Sequence, residues 1–202
     1  MRQPPTAIHQ WRNRWAGETV FCLGSGPSMT QADADRLQGR RVIVVNTTFR
    51  LAPWADALFF QDGKWWRHYH REVIADFRGQ PVTVAPLNHP RVDRISPFAM
   101  RTQENSGTGA IALALLTGAS RIVLLGMDCM PDGERMHWHG SHPHGTERLG
   151  NGGSIDKWPE KFAALAARAD NLHIPVINCS RRTALDCFPR TALEDELAQG
   201  VY

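Results

Sequence analysis

The chain has 202 residues, 42% of them apolar and 21% charged, with a formal net charge of +3. This size and balance indicate one folded domain, and they exclude a disordered chain, a membrane-spanning one and a dedicated nucleic-acid binder. The longest apolar stretch, Ala110 to Leu116, falls well short of the ~20 residues of a spanning helix, and no apolar core follows the charged N-terminus, so a cytoplasmic protein without a signal peptide is expected.

The first apolar run, Thr19 to Leu23, ends in Gly24-Ser25-Gly26-Pro27-Ser28. The pattern then predicts a helix from Met29 to Leu37 closed by Gly39. Strands follow from Arg41 to Val45, stopping at Asn46, and from Ala57 to Phe60, stopping at Gln61-Asp62-Gly63. An aromatic helix, Lys64 to Phe77, and a short strand, Pro81 to Val84, come next. Residues Asn88 to Glu104 read as irregular. Ser106 opens a strong helix, Gly107 to Leu116, and the strand Arg121 to Leu125 stops at Gly126-Met127-Asp128. A long Gly/His-rich stretch, Cys129 to Ser154, precedes a helix, Ile155 to Ala169. A last strand, Ile174 to Ile177, and a C-terminal helix, Thr191 to Gln199, finish the chain.

Apolar strands without period-2 alternation, separated by helical segments, predict the α/β class. The expected architecture is an open, doubly wound, mainly parallel sheet with helices on both faces. Cys22, Cys129, Cys179 and Cys187 show no CxxC spacing and read as reduced thiols.

Ligands of open α/β sheets bind beyond the carboxyl ends of the strands, so the residues after each strand are the candidate site. Gly24, Ser25, Gly26, Pro27 and Ser28 form a turn in which glycine permits close backbone approach and Ser28 is placed to cap the next helix. Asn105, Ser106 and Gly107 form a second free helix N-terminus, and the two turns together point to phosphate binding. Asn46 suits a base or ribose edge. Asp62 and Asp128 suit ribose orientation, a divalent ion or a general base, although a strand-end Asp also simply caps a loop. His137, His139, His142 and His144 crowd the Gly-rich stretch after Asp128, which has the make-up of an active-site lid. Zinc is not expected there, because no cysteine pair is near to complete a four-ligand set. One of Trp65/Trp66 and one of Trp138/Trp158 is expected in the core, the other free to stack an acceptor ring; Arg181 and Arg182 are phosphate-binding candidates.

GSGPSM after the first strand, Asn46 after the second, Gln61-Asp62 after the third, and NSGTGAIALALLTGASRIVLLGMD resemble a superfamily of Rossmann-like transferases. It includes the family 42 sialyltransferases, the motility accessory factors and the archaeal 6-hydroxymethylpterin pyrophosphokinases, and the chain looks most like its short, stand-alone phage members. The resemblance covers roughly Thr19 to Pro189. It implies a single Rossmann-like nucleotide-binding domain over residues 1–202, with a lid-like loop at about 129–154. It implies a nucleotide-linked donor held by Gly24, Ser25, Gly26, Ser28, Asn46, Asp62, Ser106 and Gly107. The sialyltransferases carry a histidine base shortly before the helix that here begins near Ile155, where this chain has Asn151-Gly152-Gly153. Either the His137–His144 loop supplies the base or a different reaction runs.

A glycosyltransferase-like reaction on an acceptor hydroxyl is the leading expectation, with Asp128 or a loop histidine as base. The acceptor would be a glycan, a small molecule or modified DNA. One alternative is ATP-dependent pyrophosphoryl or phosphoryl transfer to a hydroxymethyl compound, with Mg²⁺ held by Asp62 and Asp128. The other is a non-enzymatic protein that binds or sequesters a nucleotide.

Overall fold

The aliphatic runs between polar stops pair into one sheet in which every strand is parallel to its neighbours. The computed structural model describes residues 7–100, 105–140 and 155–199. Its strands are β1 (Thr19–Leu23), β2 (Arg41–Val45), β3 (Ala57–Phe60), β4 (Gln80–Thr83), β5 (Asp93–Arg94), β6 (Arg121–Leu125) and β7 (Val176–Asn178). Their spatial order is β5-β4-β3-β2-β1-β6-β7, so the winding reverses at β1. The crevice of such a sheet opens where the order reverses, beyond the carboxyl ends of β1 and β6.

Side chains alternate across the sheet, and the two faces build two apolar cores. Val20, Cys22, Ile43, Phe59 and Leu124 lie under α5 (Ser106–Leu116) and α6 (Trp158–Asn171), with Trp11 of α1 (Ile8–Trp11) and Trp15 completing that layer. Phe21, Leu23, Val44, Phe60 and Leu125 lie under α2 (Gln31–Asp35), α3 (Gly63–Asp76) and α7 (Leu193–Gln199). Helix α5 is apolar on every side because α6 and α4 (Pro97–Met100) cover the flank that the sheet does not. The doubly wound α/β reading is therefore correct. No helix of the described residues is long and apolar enough to cross a membrane.

The departures from the expected elements have local causes. The helix expected from Met29 shrinks to α2 because Thr30 is its N-cap: Thr30 Oγ1 accepts from the Asp33 amide while the Asp33 carboxylate accepts from the Thr30 amide. The irregular stretch holds β5 and α4. Strand β5 pairs only with Val82 and Thr83, so Pro81, which has no N–H to give, lies outside its register. Helix α1 has no counterpart among the expected elements; the Trp11 indole donates to Asp93 at 2.9 Å and ties it to β5. Before α6 a 3₁₀ turn, Ile155–Lys157, occupies what reads as the first helical turn. All four cysteines are free, and burial pushes the Cys129 and Cys179 thiols up to about 12.

Candidate functional site

The hydrogen bonds of the β1–β6 pair continue past both strands. The Gly24 amide donates to Leu125 O at 2.7 Å and the Gly26 amide to Gly126 O at 2.8 Å. Two loops zipped this closely leave no room for side chains. A Cβ on Gly24 would stand 2.4 Å from Gly126 O, and one on Gly26 would stand 2.4 Å from Asp128 Oδ1.

Ser28 caps no helix. Its amide donates to Asp128 Oδ2 and its hydroxyl to Asp128 Oδ1, both at 2.7 Å. The anion seated on Ser28 is thus the protein's own carboxylate, and the expected helix N-terminus belongs to the five-residue α2 two residues later. Asp128 is 1% exposed. Burial lifts its carboxyl above the usual range, against the pull of the two Ser28 donors and the charge of Arg182.

Behind this clasp, Arg181 donates from Nη1 to Ser28 O at 3.0 Å and grips Asp33 in a fork of 2.5 and 2.6 Å. Arg182 pairs with Asp132. Neither arginine lines the cavity around the Gly24 turn; each is held by a carboxylate instead. For Asp33, burial raises the carboxyl, but Arg181 and Thr30 outweigh it and the net shift is downward. The unfolded chain therefore binds this proton more tightly than the folded one. The stabilisation is present above about pH 4 and is lost as the pH falls through the folded value. In melting curves between pH 6 and 3, wild type is expected to lose more stability on acidification than Asp33→Asn; parallel pH profiles would contradict this.

The second turn behaves as the sequence suggests. Asn105 caps α5, its Oδ1 accepting from the Thr108 amide at 2.9 Å, with Thr108 Oγ1 accepting from the Asn105 amide in return. The positive end of the 11-residue helix opens at Ser106 and Gly107. Ser106 Oγ accepts from the Gln61 amide at 3.2 Å, joining the β3 and α5 loops. Asn46 follows β2 with φ +48, a left-handed conformation that Asn tolerates.

These loops enclose a cavity of ≈ 490 Å³. Of the expected donor residues, Gly24, Ser25, Gly26 and Pro27 line it from the first turn, Asn46 and Asp62 from β2 and β3, and Asn105, Ser106 and Gly107 from α5. Asp128 and His137 also line it, whereas Ser28 does not. His139 is not among the lining residues but stacks on His137, with ring centroids 5.2 Å apart. His142 and His144, and the lid-like loop from residue 141 on, lie outside the described residues. The loop's first part folds over the Gly24 turn: the Trp138 amide donates to Ser25 O at 3.1 Å and its indole to Thr48 Oγ1 at 3.3 Å. Asp62 is exposed, and its carboxylate accepts from the Lys64 amide at 2.7 Å as the N-cap of α3.

In this cavity wall the buried acceptor Asn46 Oδ1 and the buried donor Asn105 Nδ2 have no hydrogen-bond partner among the described residues. Part of the lining is one that sequence reasoning missed. Met127, Met130 and Met136, with Phe162 and with Trp158, one of the tryptophans expected near the site, make it soft and apolar. Methionine carries no chemistry that a motif search would notice. Trp65 and Trp66 are both core residues, 2% and 3% exposed, and of that pair Trp65 lines the cavity. Among the described residues no lysine or arginine lines the cavity, and no group of three or more His, Cys, Asp or Glu stands ready for a metal.

No protein-family model matches the chain, and no curated protein matches it in sequence. Its structure is similar to that of the sialyltransferase CstII from Campylobacter jejuni in complex with cytidine-5'-monophosphate, with a TM-score of 0.63 and 15% identity over 88% of this chain and 86% of that one. A CST-II complex with trisaccharide acceptor and CMP gives 0.61 at 14% identity, over 85% of each chain. An α-2,3-sialyltransferase from Campylobacter jejuni in apo form gives 0.58 at 15%, over 87% and 80%. The chain has the sialyltransferase fold. At this identity the likeness is one of fold, and the phage, motility-factor and pyrophosphokinase resemblances rest on the sequence motifs alone.

Proposed function

We propose that the chain is a nucleotide-dependent transferase of the glycosyltransferase type, holding a nucleotide-activated donor in the cavity and passing its group to an acceptor hydroxyl. The observation that carries this reading is the pair Asn46 Oδ1 and Asn105 Nδ2. A buried polar atom without a partner costs about 1–3 kcal/mol, and these two sit across loops that the fold assigns to ligand binding. A ligand presenting one donor and one acceptor, such as a ribose diol or a base edge, satisfies both. The fold neighbours bound to CMP support the same reading.

The charge of the walls favours a single phosphate. Its counter-charge comes from the α5 N-terminus, with the Ser106 and Gly107 amides; no described lysine or arginine is there to neutralise a second. In the transfer, the bond between the donated carbon and the phosphate oxygen breaks, the acceptor oxygen bonds to that carbon, and His137 takes the acceptor proton. Asp128 is a weaker candidate base because Ser28 occupies both its oxygens. That engagement, and the use of Asp62 Oδ1 to cap α3, also weigh against the Mg²⁺-dependent pyrophosphoryl reading.

The test is a thermal-shift titration with nucleoside mono-, di- and triphosphates, with and without Mg²⁺. A monophosphate at 100 times its Kd is expected to add about 2.7 kcal/mol. Asn46→Gly keeps the φ +48 backbone and removes the amide, so it is expected to bind about tenfold more weakly at unchanged melting temperature. Stabilisation by ATP with Mg²⁺ alone would replace this reading with pyrophosphoryl transfer. Tight binding without turnover of any sugar nucleotide would replace it with sequestration.

A further inference from the structure

Helix α3 carries its charges against its own stability. Its exposed residues include Lys64, Arg67 and Arg71, at positions i, i+3 and i+7, with His68 beside them. No acidic residue stands in its first turn, although the N-terminal end of a helix favours acids and disfavours cations. Arg67 and Arg71 form a like-charge i,i+4 pair, which is also unfavourable. Of the nearest acids, Glu72 is forked by Arg50, and Asp62 caps the helix through the Lys64 amide. None of Lys64, Arg67 and Arg71 forms an ion pair with a described residue. One helix face that gathers three exposed cations, offset inside the fold only by the Asp62 cap, is where binding is expected.

The stripe also starts in a telling place. Gly63, the first residue of α3, lines the cavity, and Arg67 Nη1 lies 3.9 Å from where a Cβ on Gly63 would stand. From this mouth the cations recede along the helix in axial steps of about 4.5 and 6 Å. The described cavity walls have no lysine or arginine, so the positive charge gathers at the entrance and outside it.

We propose that the Lys64–Arg67–Arg71 stripe docks the acceptor, a linear oligosaccharide bearing carboxylates, so that its terminal hydroxyl enters the cavity while the charged rings behind it lie along α3. The role as acceptor site rests on the transferase reading; the affinity for the polyanion does not. A single-stranded nucleic acid fits less well, because it needs aromatic faces to stack on. Trp65, Trp66 and Tyr69 of α3 all turn into the core, at 2%, 3% and 3% exposure.

Calorimetric titration with tri- and tetragalacturonate, and with their full methyl esters, separates charge from shape. The wild-type chain is expected to bind the acids, at least about tenfold more tightly than the esters, and more weakly as salt rises. R67Q is expected to lose about five- to tenfold in affinity, and the K64Q/R67Q/R71Q variant to lose binding. Because all three side chains are exposed and their charges work against the helix, melting temperatures are expected to hold or rise. Equal affinity for acid and ester, no binding of either, or undiminished binding by the triple variant overturns the docking surface. An oligothymidylate that binds more tightly than the uronates through the same residues overturns the saccharide. Nucleotide titrations on the same samples keep the two readings apart. Uronate binding without nucleotide binding refutes the transferase and leaves the surface standing, and the reverse outcome refutes the surface alone.

Discussion

His137→Ala is expected to lose transfer by a factor of about 10²–10⁴ while keeping its affinity for nucleotide. The side chain lines the cavity from the segment that folds over the Gly24 turn, and its neighbour Trp138 is tied to Ser25 O and Thr48 Oγ1, so the backbone that carries it is fixed. Removing the imidazole removes the proton acceptor and leaves the Asn46 and Asn105 amides in place. A split in which turnover collapses and nucleotide Kd moves less than about twofold is the signature of a base. His139→Ala serves as the control, since its ring stacks on His137 and is not part of the wall. Equal losses in the two variants would mean that the loop is only packing, and that the proton goes elsewhere.

Gly109→Ala is expected to cost about 3 kcal/mol or more, the upper part of the range for overpacking a core. A Cβ at this position would stand 2.0, 2.5 and 2.8 Å from ring atoms of Phe59. Phe59 cannot yield, because it is fully buried in β3 with β2 on one side and β4 on the other. Helix α5 cannot withdraw either, since α6 packs against it. For a domain of this size the change corresponds to a fall of about 6–12 °C in melting temperature. Phe59→Leu, which trims the ring, is expected to recover part of the loss in the double variant. A fall below about 1 kcal/mol would show that the helix can ride further from the sheet at little cost.

Most strands, and the residues on which they stop, are legible in the order of residues. β1, β2, β3 and β6 have the bounds that the apolar runs indicate, and Asn46, Asp62, Ser106 and Asp128 stand at the mouths of their loops as expected. The side-chain roles that change are those in which the partner is distant in sequence. Ser28 is a good cap by type and position, yet it serves Asp128, one hundred residues away. Arg181 is a good phosphate ligand by type, yet Asp33 takes it across 148 residues. The short elements α1 and β5 carry too few residues for any period to show, and the Trp11–Asp93 hydrogen bond joins them.

The α/β class, the parallel sheet and the polar residues at the strand ends follow from the amino-acid sequence alone. A buried parallel strand must be apolar along its length, and it must stop where the chain meets water or a ligand. What the sequence does not contain is the choice of partners. Each crossover returns the chain to the same end of the sheet, and the reversal at β1 sets the Gly24 and Asp128 loops side by side. That contact commits Ser28 to the protein's own carboxylate. The rest of the Gly24 turn lines the cavity with the α5 N-terminus, the Asn46 and Asn105 amides and the thioethers, because a polar group's role is settled by whichever donor or acceptor the tertiary fold brings within reach.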